Sequence, residues 1–369
     1  MPGIYLHIPF CKHKCTYCDF TSFPNRLNFA EAYMACLYKE IEMRGKQLEK
    51  YTFDTVYIGG GTPSVIDAKY IHGAIKQILK CFHVTKNPEI TIEMNPGTVS
   101  EQKIKSYKRA GINRFSIGLQ TAIDEQLEEL GRIHNVRDYL YCTTLLKGEN
   151  FSADVMLGLK GQTKEDVRKT IEIAAGSGAS HISMYALTPE DGTPIYTDYL
   201  NGELPDADEV AALYDYGCAL LREKGYFRYE VSNFAKKGFE SKHNLNYWRR
   251  GEYIGLGISA SSFICGKRFT NTFDLDEYMK CILSGFLPVI ESEDVSGEDA
   301  KFEFVMLALR TVYGVSAEQY RKAFGSDWKE DFAAPYEKTR EFLEEAGDVT
   351  RIKDEYLYVQ NQILTEFMH

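Results

Sequence analysis

Several features are scarce in this chain, and each absence excludes a class of protein. The 369 residues include 43 Lys and Arg against 53 Asp and Glu, which gives a net charge of −10. Nonspecific nucleic-acid binding needs a positive excess to neutralise phosphates, so we expect no nucleic-acid partner. Apolar runs are short as well, and none has the roughly 20 residues of a membrane-spanning helix. We therefore expect no transmembrane segment.

Signals for export are also missing. The first residues lack the basic segment, apolar stretch and cleavage site of a signal peptide. The nine cysteines are an odd number, which is typical of a reducing compartment, and we expect a cytoplasmic location. Six of them are scattered, and we predict that most of these are small buried hydrophobes: Cys36, Cys81, Cys142, Cys218, Cys265 and Cys281.

The other three cysteines lie close together in the run CKHKCTYC. Cys11, Cys15 and Cys18 have the spacing C-x3-C-x2-C. Three thiolates on one loop can each bind one iron of a cubane [4Fe–4S] cluster and leave the fourth iron open. A structural zinc site usually has four ligands in two separated pairs, and the chain has no second C-x2-C pair. Zinc with His13 as a strained fourth ligand, or cysteines without a metal, remain alternatives.

Alternating strand and helix patterns predict an α/β fold for the first 190 residues. Helical patterns cover 29–50, 65–80 and 164–175. Six short runs rich in Ile, Val, Tyr and Phe predict strands at 4–10, 54–60, 89–96, 114–120, 153–159 and 181–189. Such alternation is typical of a parallel sheet covered by helices, either open or closed into a barrel. Because polar residues follow the strands, we favour a barrel-like domain with its site at the carboxyl ends.

The second half of the chain has a different pattern. We predict a helix over 206–224 and a strand over 226–234, and residues Phe302, Val305, Met306 and Leu309 share one helical face. A helix over 336–345 followed by a β-pair over 348–359 would resemble a winged helix. The predicted domains are a barrel at 1–235, a connecting region at 236–297 and a helical, winged-helix-like domain at 298–369. Residues 300–369 carry 9 Lys and Arg against 13 Asp and Glu, so DNA binding is rejected for this last part.

Polar residues at predicted strand ends are candidates for ligand contacts. Gly59–Pro63 (GGGTP) follows the second strand, where glycines allow a ligand to approach the backbone, although a plain strand-to-helix turn would look the same. Glu93 sits late in an apolar strand, where a carboxylate needs hydrogen-bond donors or an ion-pair partner. Gln120 and Arg132 follow the fourth strand and could orient a carboxylate, and Asp154 opens the fifth. Surface or structural roles are equally open for these last three.

The segment HNLNYW, residues 243–248, is the second unusual motif. Imidazole is a common axial ligand of haem iron, and large aromatic side chains suit a flat apolar macrocycle. A histidine beside Tyr and Trp can equally be a packed, hydrogen-bonded core residue. His243 is therefore a candidate haem ligand with a structural alternative.

Together these segments resemble the radical S-adenosylmethionine (SAM) superfamily, in its oxygen-independent coproporphyrinogen III oxidase-like branch. Tyr17 completes the pattern C-x3-C-x-aromatic-C, and the other segments occur in one order: GGGTPS, TIEMNPG, RFSIGLQ, GRIH, DVMLGL, HNLNYW and GLGISA. The resemblance implies a partial parallel (β/α)6 TIM-like barrel of the radical SAM type, and a [4Fe–4S] cluster on Cys11, Cys15 and Cys18 whose open iron is chelated by SAM. It implies SAM contacts at Tyr5, Gly60, Gly61, Thr62, Glu93, Gln120, Arg132, Asp154 and Ala186.

Within this branch the chain resembles the haem-chaperone group called HemW. The oxidases carry a fourth cysteine two residues beyond the third, where this chain has Phe20, and a long extension before the cysteine loop. HNLNYW matches the motif H-N-x-x-Y-W linked to haem binding in the chaperones, with His243 as the ligand. The resemblance implies a haem chaperone that passes haem to an acceptor protein, which could be membrane-associated. The alternatives are an enzyme, the radical SAM decarboxylase of coproporphyrinogen III, or a radical enzyme on an unrelated substrate.

Overall fold

The structure is a computed structural model and describes residues 1–368. Its strands are β1 Gly3–Ile8, β2 Thr52–Gly60, β3 His83–Met94, β4 Arg114–Gln120, β5 Phe151–Leu157, β6 His181–Ala186, β7 Phe227–Arg228, β8 Asn233–Ala235, β9 Tyr253–Leu256, β10 Ser261–Ile264, β11 Lys267–Asn271, β12 Val289–Asp294, β13 Val315–Ser316, β14 Leu343–Ala346 and β15 Val349–Ile352. Its helices are α1 Ala30–Gln47, α2 Ala68–Cys81, α3 Glu101–Ala110, α4 Asp124–Glu129, α5 Val136–Leu145, α6 Lys164–Gly176, α7 Pro194–Leu200, α8 Ala207–Glu223, α9 Lys242–Trp248, α10 Leu275–Leu283, α11 Gly297–Leu309, α12 Ala317–Phe324, α13 Trp328–Asp331, α14 Ala333–Thr339 and α15 Gln360–Leu364.

Twelve strands form one sheet in the order β12-β11-β10-β9-β1-β2-β3-β4-β5-β6-β8-β7. Neighbouring strands from β9 through β1 to β6 run parallel. The sheet ends at β12 on one side and β7 on the other, so the barrel is partial. This confirms the predicted fold class, including all six strands expected before residue 190.

The two faces of the parallel strands differ in polarity. In β1, Ile4, Leu6 and Ile8 are fully buried among the apolar residues under the helices, whereas Tyr5 and His7 alternate with them on the other face. Alternation places successive side chains on opposite faces of a sheet. Because the helices cover the apolar face, the polar face is left to line the interior of the partial barrel.

Side-chain caps fix where several covering helices begin. Thr163 and Asp166 form a reciprocal capping box at the start of α6, and Asp206 and Glu209 form another at α8. Each cap satisfies backbone N–H groups that would otherwise lack partners, which contributes about 1 kcal/mol. The capping residues therefore fix the position at which each of these helices begins.

Residues beyond 226 differ from the sequence predictions in three places. The expected strand over 226–234 is interrupted and forms only β7 and β8. The expected helix over 336–345 ends with α14 and a short 3-10 turn at residue 342. The expected β-pair over 348–359 is wrong, because the hairpin is β14–β15 and residues 354–367 form short helical turns.

The region 236–297 supplies β9 to β12, which extend the main sheet past β1. The division of the chain at residues 235 and 297 stays a prediction, and the sheet continues across the first of these positions. From α11 onward, helices and the antiparallel sheet β13-β15-β14 surround a second apolar core that contains Val305, Tyr320 and Trp328. Within residues 1–368, no helix has the length and apolar character needed to cross a membrane.

Candidate cluster and cofactor site

A cavity lies at the carboxyl ends of the parallel strands, where the cysteine loop covers the interior of the partial barrel. Eleven of the predicted site residues line it: Cys11, Cys15, Tyr17, Cys18, Gly60, Gly61, Thr62, Glu93, Gln120, Arg132 and Asp154. They come from the loop after β1 and from strands β2 to β5 and their following loops. Residues spread over 144 positions of the chain thus share one cavity because parallel strands end at the same edge of the sheet.

Close backbone packing holds the first cysteine beside the glycine-rich turn. The Cys11 thiol lies 3.4 Å from the Thr62 hydroxyl. A side chain at Gly61 would meet the Cys11 sulfur at 3.0 Å, and one at Gly60, which has φ of 113°, would meet the His7 ring at 2.7 Å. Glycine is therefore required at both positions. Burial beside this turn raises the pKa of the Cys11 thiol.

The three thiols lie on one cavity wall without meeting at a single point. Among residues 1–368, no three His, Cys, Asp or Glu side chains are gathered as one metal ion requires. A zinc ion needs its four ligands on one centre. A cubane cluster instead takes each thiolate on a different iron, so the three thiols of this loop need not share one centre to hold it.

Glu93 presents a carboxylate to the cavity from the end of β3. Its oxygens accept hydrogen bonds from the Tyr57 hydroxyl at 2.8 Å and from the Gly60 amide at 3.2 Å. Burial raises the pKa of Glu93 to about 7, against the effect of the Tyr57 hydrogen bond. The carboxylate has acceptor capacity beyond these two donors, as a pair of ribose hydroxyls would need.

Asp154 faces the same interior from the middle of β5, which begins two residues before the predicted strand at 153–159. The Ser116 hydroxyl lies 3.1 and 3.2 Å from its two oxygens, and the Ser152 hydroxyl lies 3.5 Å from one of them. Burial raises the pKa of Asp154 to about 6. Two carboxylates, Glu93 and Asp154, therefore line one cavity with raised pKa values, which is typical of a ligand site.

Arg132 connects the cysteine loop to the opposite cavity wall. Its guanidinium donates to the Cys15 sulfur at 3.7 Å, to the Tyr17 hydroxyl at 3.4 Å and to the Gly118 carbonyl at 3.1 Å. Its Nε is buried and has no partner within the described residues. An orphaned guanidinium N–H at a cavity wall fits a ligand carboxylate.

Gln120 ends β4 in a left-handed backbone conformation, with φ of 68°. Its side-chain oxygen accepts from the Tyr185 hydroxyl at 2.9 Å. A side chain at Gly118 would meet both the Gln120 amide and the Arg132 guanidinium at 2.8 Å. The glycine therefore leaves the space in which these two polar groups lie side by side, and the strained φ at Gln120 is typical of functional positions.

Three predicted residues lie outside the lining of this cavity. Tyr5 points into a neighbouring cavity, whose wall shares Gly60 and Glu93 with the first one. Ala186 ends β6, one residue after Tyr185, which does line the cysteine cavity. His243 lies at the other end of the strands, beside Gly3 and Thr55.

His243 is a buried ring with both nitrogens engaged. Nδ1 shares a 2.7 Å hydrogen bond with the Thr55 hydroxyl, and Nε2 shares a 2.8 Å hydrogen bond with the Tyr247 hydroxyl. The residue is 1% exposed, and its ring stacks on Tyr57 at 5.1 Å. Burial and the charge of Arg114 lower the pKa of His243 to about 3. This conformation matches the structural alternative, and iron ligation would require one of these hydrogen bonds to break.

Sequence reasoning missed the residues that support the site from neighbouring positions. Tyr57 and Tyr185 orient Glu93 and Gln120, and Ser116 orients Asp154. A signal was present for Tyr57 and Ser116, because each stands two residues before a glycine of its strand and so on the same face.

Comparisons with known proteins agree with this geometry. A family model described as the Radical SAM superfamily matches residues 5–174, and one described as the HemN C-terminal domain matches residues 295–355. The Bacillus subtilis protein named heme chaperone HemW is 33% identical over 331 residues, which cover 88% of this chain and 87% of that protein. The chain belongs to the HemW family of radical SAM proteins. This confirms the resemblance that the motifs indicated.

Other HemW proteins match over a similar length. Those of Haemophilus influenzae and Escherichia coli are 36% and 34% identical over 88% and 84% of this chain, and the matches cover 86% and 82% of those proteins. A solved structure of Escherichia coli coproporphyrinogen III oxidase, HemN, a radical SAM enzyme, superposes with a TM-score of 0.87 at 18% identity. It covers 99% of this chain and 90% of HemN, which shows a shared fold. Membership of the radical SAM superfamily implies a [4Fe–4S] cluster and SAM as the family's cofactors.

Proposed function

We propose that this chain is a haem chaperone that binds a [4Fe–4S] cluster, SAM and haem, and transfers haem to an acceptor protein. The observation that carries the proposal is the match to proteins named heme chaperone HemW over 88% of the chain. Phe20, at the position of the oxidases' fourth cysteine, also lines the cysteine cavity and supports the chaperone over the decarboxylase. The acceptor is a haem-binding protein whose identity the chain does not specify.

The residues of the cysteine cavity fit both cofactors. Cys11, Cys15 and Cys18 would hold the cluster, which when bound supplies an electron to SAM. Arg132, with its orphaned Nε, would bind the carboxylate of SAM or fix Cys15. The remaining lining residues would orient SAM: Gly60, Gly61, Thr62, Glu93, Gln120, Asp154 and Tyr17, with Tyr5 and Ala186 at the margin.

The proposal places the protein in the cytoplasm. All nine cysteines are free thiols, and three of them must stay reduced to bind iron. The cytoplasm keeps thiols reduced, whereas an oxidising compartment would favour disulfides.

An anaerobic turnover assay with a parallel haem titration tests the proposal. The cluster is reconstituted, and SAM, a reductant and coproporphyrinogen III are added before chromatography for protoporphyrinogen. We expect haem binding at one equivalent and no product. Protoporphyrinogen formation would instead identify the chain as a decarboxylase. Productive SAM cleavage without binding of haem or coproporphyrinogen would indicate a radical enzyme on another substrate.

Cluster ligation is tested separately with a matched pair of cysteine variants. Cys15→Ser should abolish the broad visible absorption of the reconstituted cluster, because three ligands leave none to spare. Cys281→Ser removes a half-buried thiol outside the cavity and should leave the spectrum unchanged. An unchanged spectrum for Cys15→Ser would refute the assigned ligand.

A further inference from the structure

A second cavity lies between the main sheet and the C-terminal helices and shares no lining residue with the cysteine cavity. Strands β1, β9, β10 and β11 form one wall, and the end of α9 and the helix α11 form the other. It has a volume of about 370 Å³ and is open on one side, so a larger ligand could insert one edge. The residues at its walls determine which edge would fit.

Aromatic side chains form most of the cavity wall. Tyr247 and Tyr253 pack edge to face with ring centres 4.7 Å apart, and Tyr5 and Phe263 complete the aromatic lining. Such walls suit a flat and largely apolar ring system. They do not explain why charged side chains lie among them.

Two arginines and one glutamate lie at this aromatic wall. Arg250 and Arg268 place their guanidinium groups 4.7 and 5.6 Å from the centre of the Phe263 ring. Glu303 accepts from both, at 3.0 Å from Arg250 and 2.7 Å from Arg268. The cavity lining thus has two positive charges for one negative charge. Glu293, which also pairs with Arg268, is 63% exposed and lies outside the lining.

Arg250 is the member of this group that has a guanidinium nitrogen without a hydrogen-bond partner. Its Nη2 is buried and makes no hydrogen bond within the described residues. A buried guanidinium N–H without an acceptor is costly, so an acceptor is expected to come from a ligand. The ion pair through Nε holds the guanidinium plane, and the Arg250 side chain lines the cavity.

The backbone of Arg250 is also unusual for an arginine. Arg250 follows α9 with φ of 52°, and the amides of Arg250 and Gly251 donate to the carbonyls of Tyr247 and Asn246. This is the left-handed position after a helix that glycine or asparagine normally occupies. An arginine held there at a conformational cost indicates that its side chain, not its backbone, is needed.

We propose that this cavity binds the carboxylate-bearing edge of a planar aromatic ligand, with Arg250 as the carboxylate contact. The inference rests on the proposed function, under which that ligand is haem and the carboxylates are its propionates. A guanidinium can bind a carboxylate through two parallel hydrogen bonds, which suits this role. Tyr5 and Ser261 also line the cavity that shares Gly60 and Glu93 with the cysteine site, so haem here would lie next to the SAM site.

Haem titrations with two neighbouring arginine variants test the inference. Arg250→Gln should weaken haem binding about tenfold or more, in line with loss of a charge-assisted pair. Arg249→Gln is the matched control, since Arg249 is exposed and outside the cavity lining, and its affinity should equal that of the unchanged chain. The dimethyl ester of haem should bind the unchanged chain and Arg250→Gln equally weakly.

A second variant shows whether weak haem binding by Arg250→Gln comes from a folding defect. Arg250→Gly deletes the same side chain and suits the left-handed backbone, so it should fold and also bind haem weakly. If both Arg250 variants bind haem as tightly as the unchanged chain, the inference is overturned and the proposed function survives. If haem and its ester bind the unchanged chain equally well, carboxylate recognition is refuted. If the unchanged chain binds no haem, the proposed function fails and this inference fails with it.

Discussion

The carboxylate of Glu93 couples ligand binding to pH. Its pKa is raised to about 7 because burial outweighs the hydrogen bonds from Tyr57 and Gly60. The ionised form is purely an acceptor, whereas protonation makes one oxygen an O–H donor and reduces the capacity to accept from ligand hydroxyls. We expect SAM affinity to rise between pH 6 and 8, and Glu93→Gln to lose about tenfold in affinity at pH 8. Equilibrium dialysis of the reconstituted protein across this pH range measures both effects.

The same substitution should change stability in the opposite direction. The pKa in the unfolded chain is about 4.3. The folded state therefore holds a proton that the unfolded state has lost between about pH 4.5 and 7, and stability decreases as pH rises through this window. Glu93→Gln should therefore be more stable than the unchanged chain at pH 8 and equal to it near pH 4. A variant that binds SAM normally at pH 8 would contradict the assigned ribose contact.

His243 offers a way to separate packing from iron ligation. His243→Ala leaves the Thr55 and Tyr247 hydroxyls without partners, so the free energy of unfolding should fall by about 3 kcal/mol. Tyr247→Phe keeps the imidazole ring and frees its Nε2. If this nitrogen binds haem iron, Tyr247→Phe should retain or strengthen haem binding and His243→Ala should weaken it. Equal weakening in both variants, measured by haem absorption, would argue against iron ligation by His243, since Tyr247 also lines the second cavity.

At the scale of residues, the sequence predicted the site best where the residue pattern is rare in ordinary protein cores. A cysteine triplet, a run of glycines and a carboxylate in an apolar strand have few structural explanations, and all of them line the cysteine cavity. Histidine serves as a packed core residue as often as a ligand, and His243 is buried with both ring nitrogens hydrogen-bonded. Arg250 follows the HNLNYW segment, and the sequence left open whether it pairs with propionates or is solvated, because its role depends on backbone φ and on partners distant in the chain.

At the scale of elements, one helix holds the loop after β9 in place. Glu40 of α1 is fully buried and accepts from the Gly257 amide at 2.7 Å, the Asn271 amide at 2.8 Å and the Tyr278 hydroxyl at 2.7 Å. Glu40→Ala leaves three buried donors unpaired, and we expect it to lower the free energy of unfolding by about 3–5 kcal/mol. Urea denaturation measures the change. Glu42→Ala, at an exposed position of the same helix, should stay within about 0.5 kcal/mol of the unchanged chain.

Elements were predictable where local pattern and tertiary position agreed. The strands β1 to β6 are rich in β-branched and aromatic residues and alternate with helices, so their existence and parallel direction followed from the sequence. β11 and β12 carry the charged sequences KRFTN and VIESED, and only pairing with neighbours makes them strands. The β14–β15 hairpin had a signal, because Gly347 and Asp348 form the two-residue loop, but the preceding glutamates favoured a helix.

At the scale of the whole molecule, two apolar cores share one chain. The C-terminal core surrounds Trp328, whereas the other tryptophan, Trp248, is half-buried at the end of α9. Ion pairs such as Arg228–Asp354 and Arg268–Glu303 join the two parts. Ion pairs near solvent contribute little to the free energy of unfolding. The single core of a unit of about 70 residues rarely supplies more than about 3–5 kcal/mol of folding stability. The C-terminal core should therefore be the weaker of the two.

Urea unfolding of a Trp248→Phe variant tests this order, because Trp328 is then the single tryptophan that reports on the C-terminal core. We expect its fluorescence to change at a lower urea concentration than the far-ultraviolet circular dichroism of the barrel. Glu303 and Leu307 come from α11, so haem binding should be lost with the first transition. Absorption of the cluster should persist to the second, since the cysteine cavity is built from residues before 190. Coincident transitions would instead show that the interface between the cores makes the chain a single cooperative unit.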